Sequence, residues 1–283
     1  MTDYLVYDVF TDTPFGGNPL AVIPDATALP GADLQRIARE FNFSETAFLF
    51  PPDAPAHTAR LRIFTPTTEI PFAGHPTIGT AVALADLGHG PDMVLGLGIG
   101  PIRARAENGA AQFTTEATLE RLAEPAPGLV ARALGLAQDR IRTATHPPVM
   151  ATLGLPFTLT ELTDRTALAA IRTDIAAFRE GHALFPGGLD FAQLAYVRDG
   201  DRIDARMFAP LDNIPEDPAT GSAAATLAAL LAQILGRDLA LDYRQGDDMG
   251  RPSRIGLRTH GSRVTVSGRA VRVMEGRLHL PPR

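Results

Sequence analysis

The 283-residue sequence predicts an α+β protein built from two duplicated domains. Two observations carry that reading. Strand-like and helix-like segments interleave in both halves, and two short patterns of the first half recur in the same order in the second. Arg62-Ile63-Phe64-Thr65-Pro66 is echoed by Arg206-Met207-Phe208-Ala209-Pro210, from 62 to 206, a shift of 144. His75-Pro76-Thr77-Ile78-Gly79-Thr80-Ala81 is echoed by Asp217-Pro218-Ala219-Thr220-Gly221-Ser222-Ala223, from 75 to 217, a shift of 142. Each copy reads as a strand, a short loop, an acid/base-capable residue followed by Pro, and an Ala-rich helix. A site between the two copies is the expected consequence.

In the first half, Tyr4 to Phe10 reads as a strand, Gly16-Gly17-Asn18-Pro19 as turn chemistry, and Leu20 to Ile23 as a second strand. Ala32 to Glu40 has helical spacing, with Leu34, Ile37 and Ala38 on one face, and Phe43 to Phe50 returns to a strand. His57 to Phe64 is another strand. Gly74-His75-Pro76 opens a buried-type helix over Thr77 to Leu87, which Gly88 ends. Strands follow at Val94 to Ile99 and Pro101 to Ala106. The Gly96-Leu97-Gly98-Ile99-Gly100 run precedes an alternating Ile102-Arg103-Ala104-Arg105, so it reads as a turn between strands and not as a dinucleotide loop, which opens a helix.

From Glu116 through Pro125-Ala126-Pro127 the chain turns polar and Ala/Pro-rich, which marks a domain boundary. The second half holds a short helix at Gly128 to Leu134, strands at Val149 to Leu153 and Phe157 to Leu162, helical sequence over Thr166 to Ile175, and a strand at Phe191 to Val197. A long apolar helix covers Ser222 to Leu235. Strands at Ile255 to Leu257, Arg263 to Ser267, Ala270 to Met274 and Arg277 to Leu280 close the chain.

Composition narrows the chemistry. At 45% hydrophobic and 20% charged residues the chain is globular and not disordered. Its 26 basic and 32 acidic residues give −6, without the electropositive footprint that nucleic acid or an anionic membrane requires. There is no Lys and no Cys. That excludes a pyridoxal Schiff base, a Walker P-loop, amine and thiol nucleophiles and iron–sulfur clusters, and leaves carboxylate, imidazole and hydroxyl chemistry. The opening Met1-Thr2-Asp3-Tyr4-Leu5 lacks a basic n-region, and the longest nearly apolar run, Ala223 to Leu235, is too short for a bilayer. A cytoplasmic protein is expected. The seven His show no ligand spacing, so no metal is expected, and no Gly-x-Ser-x-Gly elbow supports a serine hydrolase.

Both echoed segments place small residues where a helix begins, so the amides near Gly74-His75 and Gly221-Ser222 suit a carboxylate ligand. Each such end contributes about 0.3–1 kcal/mol at exposed sites. The competing interpretation is plain capping, with Asp217 as an N-cap helped by Thr220 or Ser222. His75 and Asp217 stand at matching places in the echo, so an imidazole and a carboxylate are expected on one ligand. Glu45 lies in Phe41-Asn42-Phe43-Ser44-Glu45-Thr46-Ala47-Phe48, where desolvation by aromatics would raise a carboxyl from about 4.3 toward a useful acid/base range. A solvent-facing strand position is the alternative for it.

These segments resemble the phenazine-biosynthesis isomerase (PhzF-like) family. The match is carried by Phe41 to Phe48, by Phe64-Thr65-Pro66 with Glu69-Ile70-Pro71-Phe72-Ala73-Gly74-His75-Pro76-Thr77-Ile78-Gly79-Thr80-Ala81, and by Glu216-Asp217-Pro218-Ala219-Thr220-Gly221-Ser222-Ala223-Ala224. Val9-Phe10-Thr11-Asp12, Gly17-Asn18-Pro19, Gln245-Gly246 and Gly250-Arg251-Pro252-Ser253 agree with it, and the match is weakest between about 85 and 190.

The resemblance implies a diaminopimelate-epimerase-like fold: two pseudo-symmetric α+β domains, each a curved, barrel-like mixed sheet around a central helix, with the site in the cleft between them. Residues 1–118, joined by a returning strand at about 272–283, would form one domain and 119–271 the other. It further implies Glu45, His75 and Asp217 as catalytic residues and Asn18, Gly74, Gly221 and Ser222 as substrate-binding ones. Glu45 would move a proton between carbons of a small carboxylic acid of the dihydro-hydroxyanthranilate type. No cofactor and no metal are implied, and a homodimer is expected. Two rivals stay open: a carboxylate-based racemase or epimerase using Glu45 and Asp217, and a small-acid-binding protein without turnover.

Overall fold

The computed structural model describes residues 2–187 and 190–279. The chain divides into two units, one formed by Met1–Thr115 with Val266–Arg283 and the other by Glu116–Thr265, a few residues before the expected limits at 118/119 and 271/272.

The first unit contains β1 (Thr2–Val9), β2 (Asn18–Ile23), α1 (Gly31–Phe41), β3 (Glu45–Phe50), β4 (Ala59–Phe64), β5 (Glu69–Ile70), α2 (Gly74–Asp86), β6 (Asp92–Leu97), β7 (Gly100–Glu107) and β8 (Ala110–Thr115). The second contains β9 (Glu120–Ala123), α3 (Pro127–Leu134), β10 (Val149–Thr152), β11 (Pro156–Glu161), α4 (Arg165–Ala170) and α5 (Ile175–Leu184). It continues with β12 (Gln193–Asp199), β13 (Arg202–Ala209), β14 (Ile214–Asp217), α6 (Gly221–Leu235), β15 (Ala240–Gln245) and β16 (Ser253–His260). Strand β17 (Arg263–Leu278) begins in the second unit and ends in the first.

In the first unit the pairing closes on itself. β1 pairs β2, β2 runs parallel to β3, β3 pairs β4, β4 runs parallel to β6, and β6, β7 and β8 follow in turn. β17 then joins β8 back to β1, giving a barrel of eight strands without a free edge, while β5 adds to β4 at its rim. Helix α2 fills it. Every residue from Gly74 to Leu84 is buried, and the helix touches β1, β2, β3, β7 and β8. A helix apolar on all sides lies inside a core, and its small residues set the approach distance. A Cβ on Gly79 would strike the Leu20 and Val9 side chains. Helix α1 packs outside through Leu34, Ile37 and Ala38 against Ile23, Phe48 and Phe64.

The second unit repeats the scheme: β10 pairs β11, β11 runs parallel to β12, β12 pairs β13, β13 runs parallel to β15, and β15 pairs β16. β14 lies on β13 as β5 lies on β4, and α6 is the buried helix. Helices α3 and α5 cover the outer face through Val130, Leu134 and Phe178. The common pairing order is that of the predicted duplication.

It also corrects the predicted alignment. Arg62 binds Glu69 through two hydrogen bonds of 2.7 and 2.6 Å, and Arg206 binds Glu216 in the same way at 2.8 and 2.7 Å. The shift is 144 between the arginines (62 to 206) and 147 between the glutamates (69 to 216), because a tight helical turn at Pro210–Asp212 lengthens the second copy. Both central helices start at a glycine, Gly74 and Gly221, also 147 apart. Ser222, and not Asp217, therefore corresponds to His75. Asp217 ends β14, ahead of the helix, and the Pro76–Pro218 match that suggested a shift of 142 has no structural counterpart.

Other expectations change as well. The helical sequence read over 166–175 forms only α4, which Asp164 caps and which ends at Ala170, and a further helix, α5, starts at Ile175 behind its own cap, Asp174, which accepts from Ala176 N–H at 2.8 Å. The three strands read between Arg263 and Leu280 are the single strand β17; Leu280 lies outside the described residues. β5, β8, β9, β14, β15 and α5 were not anticipated. The Gly96–Gly100 run, in contrast, is the turn between strands that was expected, joining β6 to β7 as an antiparallel hairpin.

Candidate active site

Glu45 is the first residue of β3. Helix α1 stops just before it because Asn42 adopts a left-handed conformation (φ 53°) and returns its N–H to Ala38 O at 3.1 Å. Glu45 stands opposite Leu20 on parallel β2, and Asn18 begins that strand two residues earlier, so the register puts Asn18 at the same end of the barrel. Asn18 is fully buried. The preceding Gly17 has φ +60°, and a Cβ there would run into the Val9 carbonyl, so only glycine fits the turn.

His75 occupies the first turn of α2. The N-cap, Ala73, is extended and has no capping side chain, so the amides of Gly74 and His75 have no partner from a side-chain cap. Nδ1 of His75 lies 2.9 Å from Oε2 of Glu45, and the two side chains are 3% and 16% exposed. Nε2 of His75 is buried without a hydrogen-bond partner among the described residues. A carboxylate on one ring nitrogen fixes the tautomer and orientation of the imidazole, leaving the other nitrogen for a ligand. The first unit thus brings Glu45, His75, Gly74 and Asn18 to one barrel end.

The second unit gathers the others. Asp217, 4% exposed, accepts a 2.5 Å hydrogen bond at Oδ2 from the Thr220 hydroxyl. Thr220 is the N-cap of α6 but has no capping side-chain bond, so the capping interpretation of Asp217 fails, and Gly221 and Ser222 lead the helix with no side-chain cap. Thr220 and Gln245, which hydrogen-bond Asp217, were not among the predicted site residues. Gln245 Nε2 donates to the Asp217 carbonyl at 2.7 Å and to Thr220 Oγ1 at 3.0 Å, while its Oε1 accepts from Tyr243 OH at 2.9 Å and Thr220 N–H at 3.3 Å. The sequence signal was the Asp-Pro-x-Thr spacing together with Gln245-Gly246. Burial, aided by the Asp217 charge, pushes the Tyr243 phenol well above its ordinary value, so it remains a donor.

Among the described residues no group of three or more His, Asp or Glu is placed to hold a metal ion, and no helix is long and apolar enough to cross a membrane.

Residues 7–276 match the family model described as phenazine biosynthesis-like protein. The chain is 36% identical over 293 residues to trans-2,3-dihydro-3-hydroxyanthranilate isomerase of Pseudomonas aeruginosa, covering 99% of this chain and 100% of that protein. It is 39% identical over 305 residues to an uncharacterized isomerase of Mesorhizobium japonicum, covering 98% and 99%. The crystal structure of the Bacillus anthracis phenazine biosynthesis protein of the PhzF family superposes with a TM-score of 0.86 at 22% identity over 99% of each chain, which fixes the fold. With that fold, the paired Glu45 and His75 and the match over nearly its whole length, the chain belongs to the phenazine biosynthesis-like family and is an isomerase of the PhzF type.

Proposed function

We propose that this isomerase moves a proton between carbons of a small carboxylic acid of the dihydro-hydroxyanthranilate type, with Glu45 as the general acid/base. The Glu45–His75 pair carries the reading: a partly buried carboxylate held at 2.9 Å by a buried imidazole whose second nitrogen has no protein partner. The ionised Glu45 takes the proton from one carbon, and the resulting carboxylic acid returns it to another, so charge and atoms balance over the cycle. His75 steadies Glu45 and meets the substrate through Nε2. Asn18, the Gly74 amide, Asp217 and the amides of Gly221 and Ser222 bind the substrate's polar groups, the amides taking its carboxylate.

The counterpart of Glu45 in the second unit is not an acid, so an epimerase on this chain would need Asp217 as its second acid/base. Phe64 stands opposite Thr46 and Phe208 opposite Gln193, so the counterpart of Glu45 in the second unit is Ala192. The acid was not duplicated with the fold. The test is turnover of trans-2,3-dihydro-3-hydroxyanthranilate in D₂O. Glu45→Gln is expected to lose about 10²–10⁴-fold in rate together with solvent deuterium incorporation. Unchanged turnover and labelling in the variant would remove Glu45 from the chemistry.

A further inference from the structure

The amide of Gln245 has only one possible orientation. The Asp217 carbonyl can only accept and the Thr220 backbone N–H can only donate, and both bond to the Gln245 side chain. Nε2 must therefore face Asp217 O, and Oε1 must face Thr220 N–H and Tyr243 OH. The second Nε2 hydrogen then points to Thr220 Oγ1 at 3.0 Å, leaving the hydroxyl its single proton for Asp217 Oδ2. Every one of these donors is used, and the line from Tyr243 OH through the Gln245 amide and the Thr220 hydroxyl ends on the Asp217 carboxylate. Tyr243, Gln245 and Asp217 are all nearly or fully buried, so water does not compete for these bonds. The backbone is built around the contact: Gly246 has φ +83°, and a Cβ there would press on the carbonyls of Pro218 and Arg251.

We infer that Gln245 and Thr220 are positioning residues that hold Asp217 as a hydrogen-bond acceptor for a donor group on the substrate. The inference rests on Asp217 being a substrate-binding residue. It assigns Asp217 a receiving role, for an amine or hydroxyl hydrogen, and assigns Gln245 the task of setting the direction of the Thr220 hydroxyl.

The test uses the full-length enzyme with trans-2,3-dihydro-3-hydroxyanthranilate, each variant being checked for a wild-type unfolding profile. Thr220→Val keeps the shape and removes the donor. It is expected to lower kcat/KM by roughly ten- to a hundredfold, mostly through KM, the scale of a lost hydrogen bond to a charged group, and Thr220→Ser is expected to restore it. Gln245→Glu keeps the acceptor for Tyr243 and Thr220 N–H but donates only when protonated. Its kcat/KM is expected to recover relative to wild type as the pH falls, which a merely structural defect would not do. Asp217→Asn separates the two layers of the argument. Wild-type kinetics there would overturn the substrate-binding role of Asp217. An impaired Asp217→Asn with unaltered Thr220→Val would overturn the positioning role alone. Should Thr220→Val not fold, a Gln245→Glu enzyme without acid-side recovery overturns it equally.

Discussion

Replacing Arg206 with Ala should destabilise the second unit by about 3–5 kcal/mol, whereas Arg62→Ala should cost the first unit about 0–1 kcal/mol, although the two pairs share one geometry. Both arginines grip a glutamate through Nε and a terminal nitrogen at 2.6–2.8 Å. The environments differ. The side chains of Arg206 and Glu216 are 8% and 16% exposed, against 29% and 44% for Arg62 and Glu69. Arg206 also donates to Leu168 O at 3.0 Å and lies 4.9 Å above the Phe208 ring. Its removal strands a mostly buried carboxylate and a backbone carbonyl, whereas water takes over at Glu69. The assay is urea unfolding of both variants, with hydrogen exchange over residues 202–217 and 59–70 to report each unit separately, since two units need not unfold as one. Adding Glu216→Gln to Arg206→Ala should recover part of the loss, and raising salt should weaken only the Arg62 pair. Equal destabilisation by the two single variants, or no recovery in the double, would refute burial as the deciding factor.

Burial and the neighbouring Asp190 carboxylate push Asp212 up to about 6. Because the folded state then holds this proton more tightly than the unfolded chain, stability present at pH 4 is lost as the pH rises through 6. Asp212→Asn should flatten that slope in thermal unfolding between pH 4 and 7; parallel curves for variant and wild type would count against it. Gly246→Ala, which forces a Cβ against two carbonyls at φ +83°, should cost about 1–3 kcal/mol and lower kcat/KM by disturbing Gln245, measured by unfolding and kinetics on the same preparation.

Much of this was legible in the sequence, because periodicity reports which face of an element is buried. The amphipathic α1 and the wholly apolar α2 and α6 were recognisable as an outer and two inner helices, and Glu45 stood out as an acid at the head of a strand rich in Phe. What failed has particular causes. The apparent correspondence of His75 with Asp217 came from aligning two prolines, but the turn at Pro210–Asp212 adds residues that only the pairing of Arg206 with Glu216 exposes. β17 was broken at Gly268 and Gly276, where glycine normally signals a turn. Here each glycine makes room for a ring, Phe10 over Gly268 and Tyr4 over Gly276, contacts made by residues far away in sequence. The network around Gln245 was invisible for the same reason: it unites β15 with the segment before α6, and no local pattern encodes which amide hydrogen meets which oxygen.

The first barrel obtains its closing strand from Val266–Leu278, which the sequence places after the whole of the second unit. During synthesis, Glu116–Thr265 emerges as an uninterrupted piece with its own core, while β1 and β8 wait with open edges for the strand that will join them. Glu45 is thus housed in the unit whose closing strand is made only after the whole of the second unit, so its surroundings are completed once Val266–Leu278 has emerged.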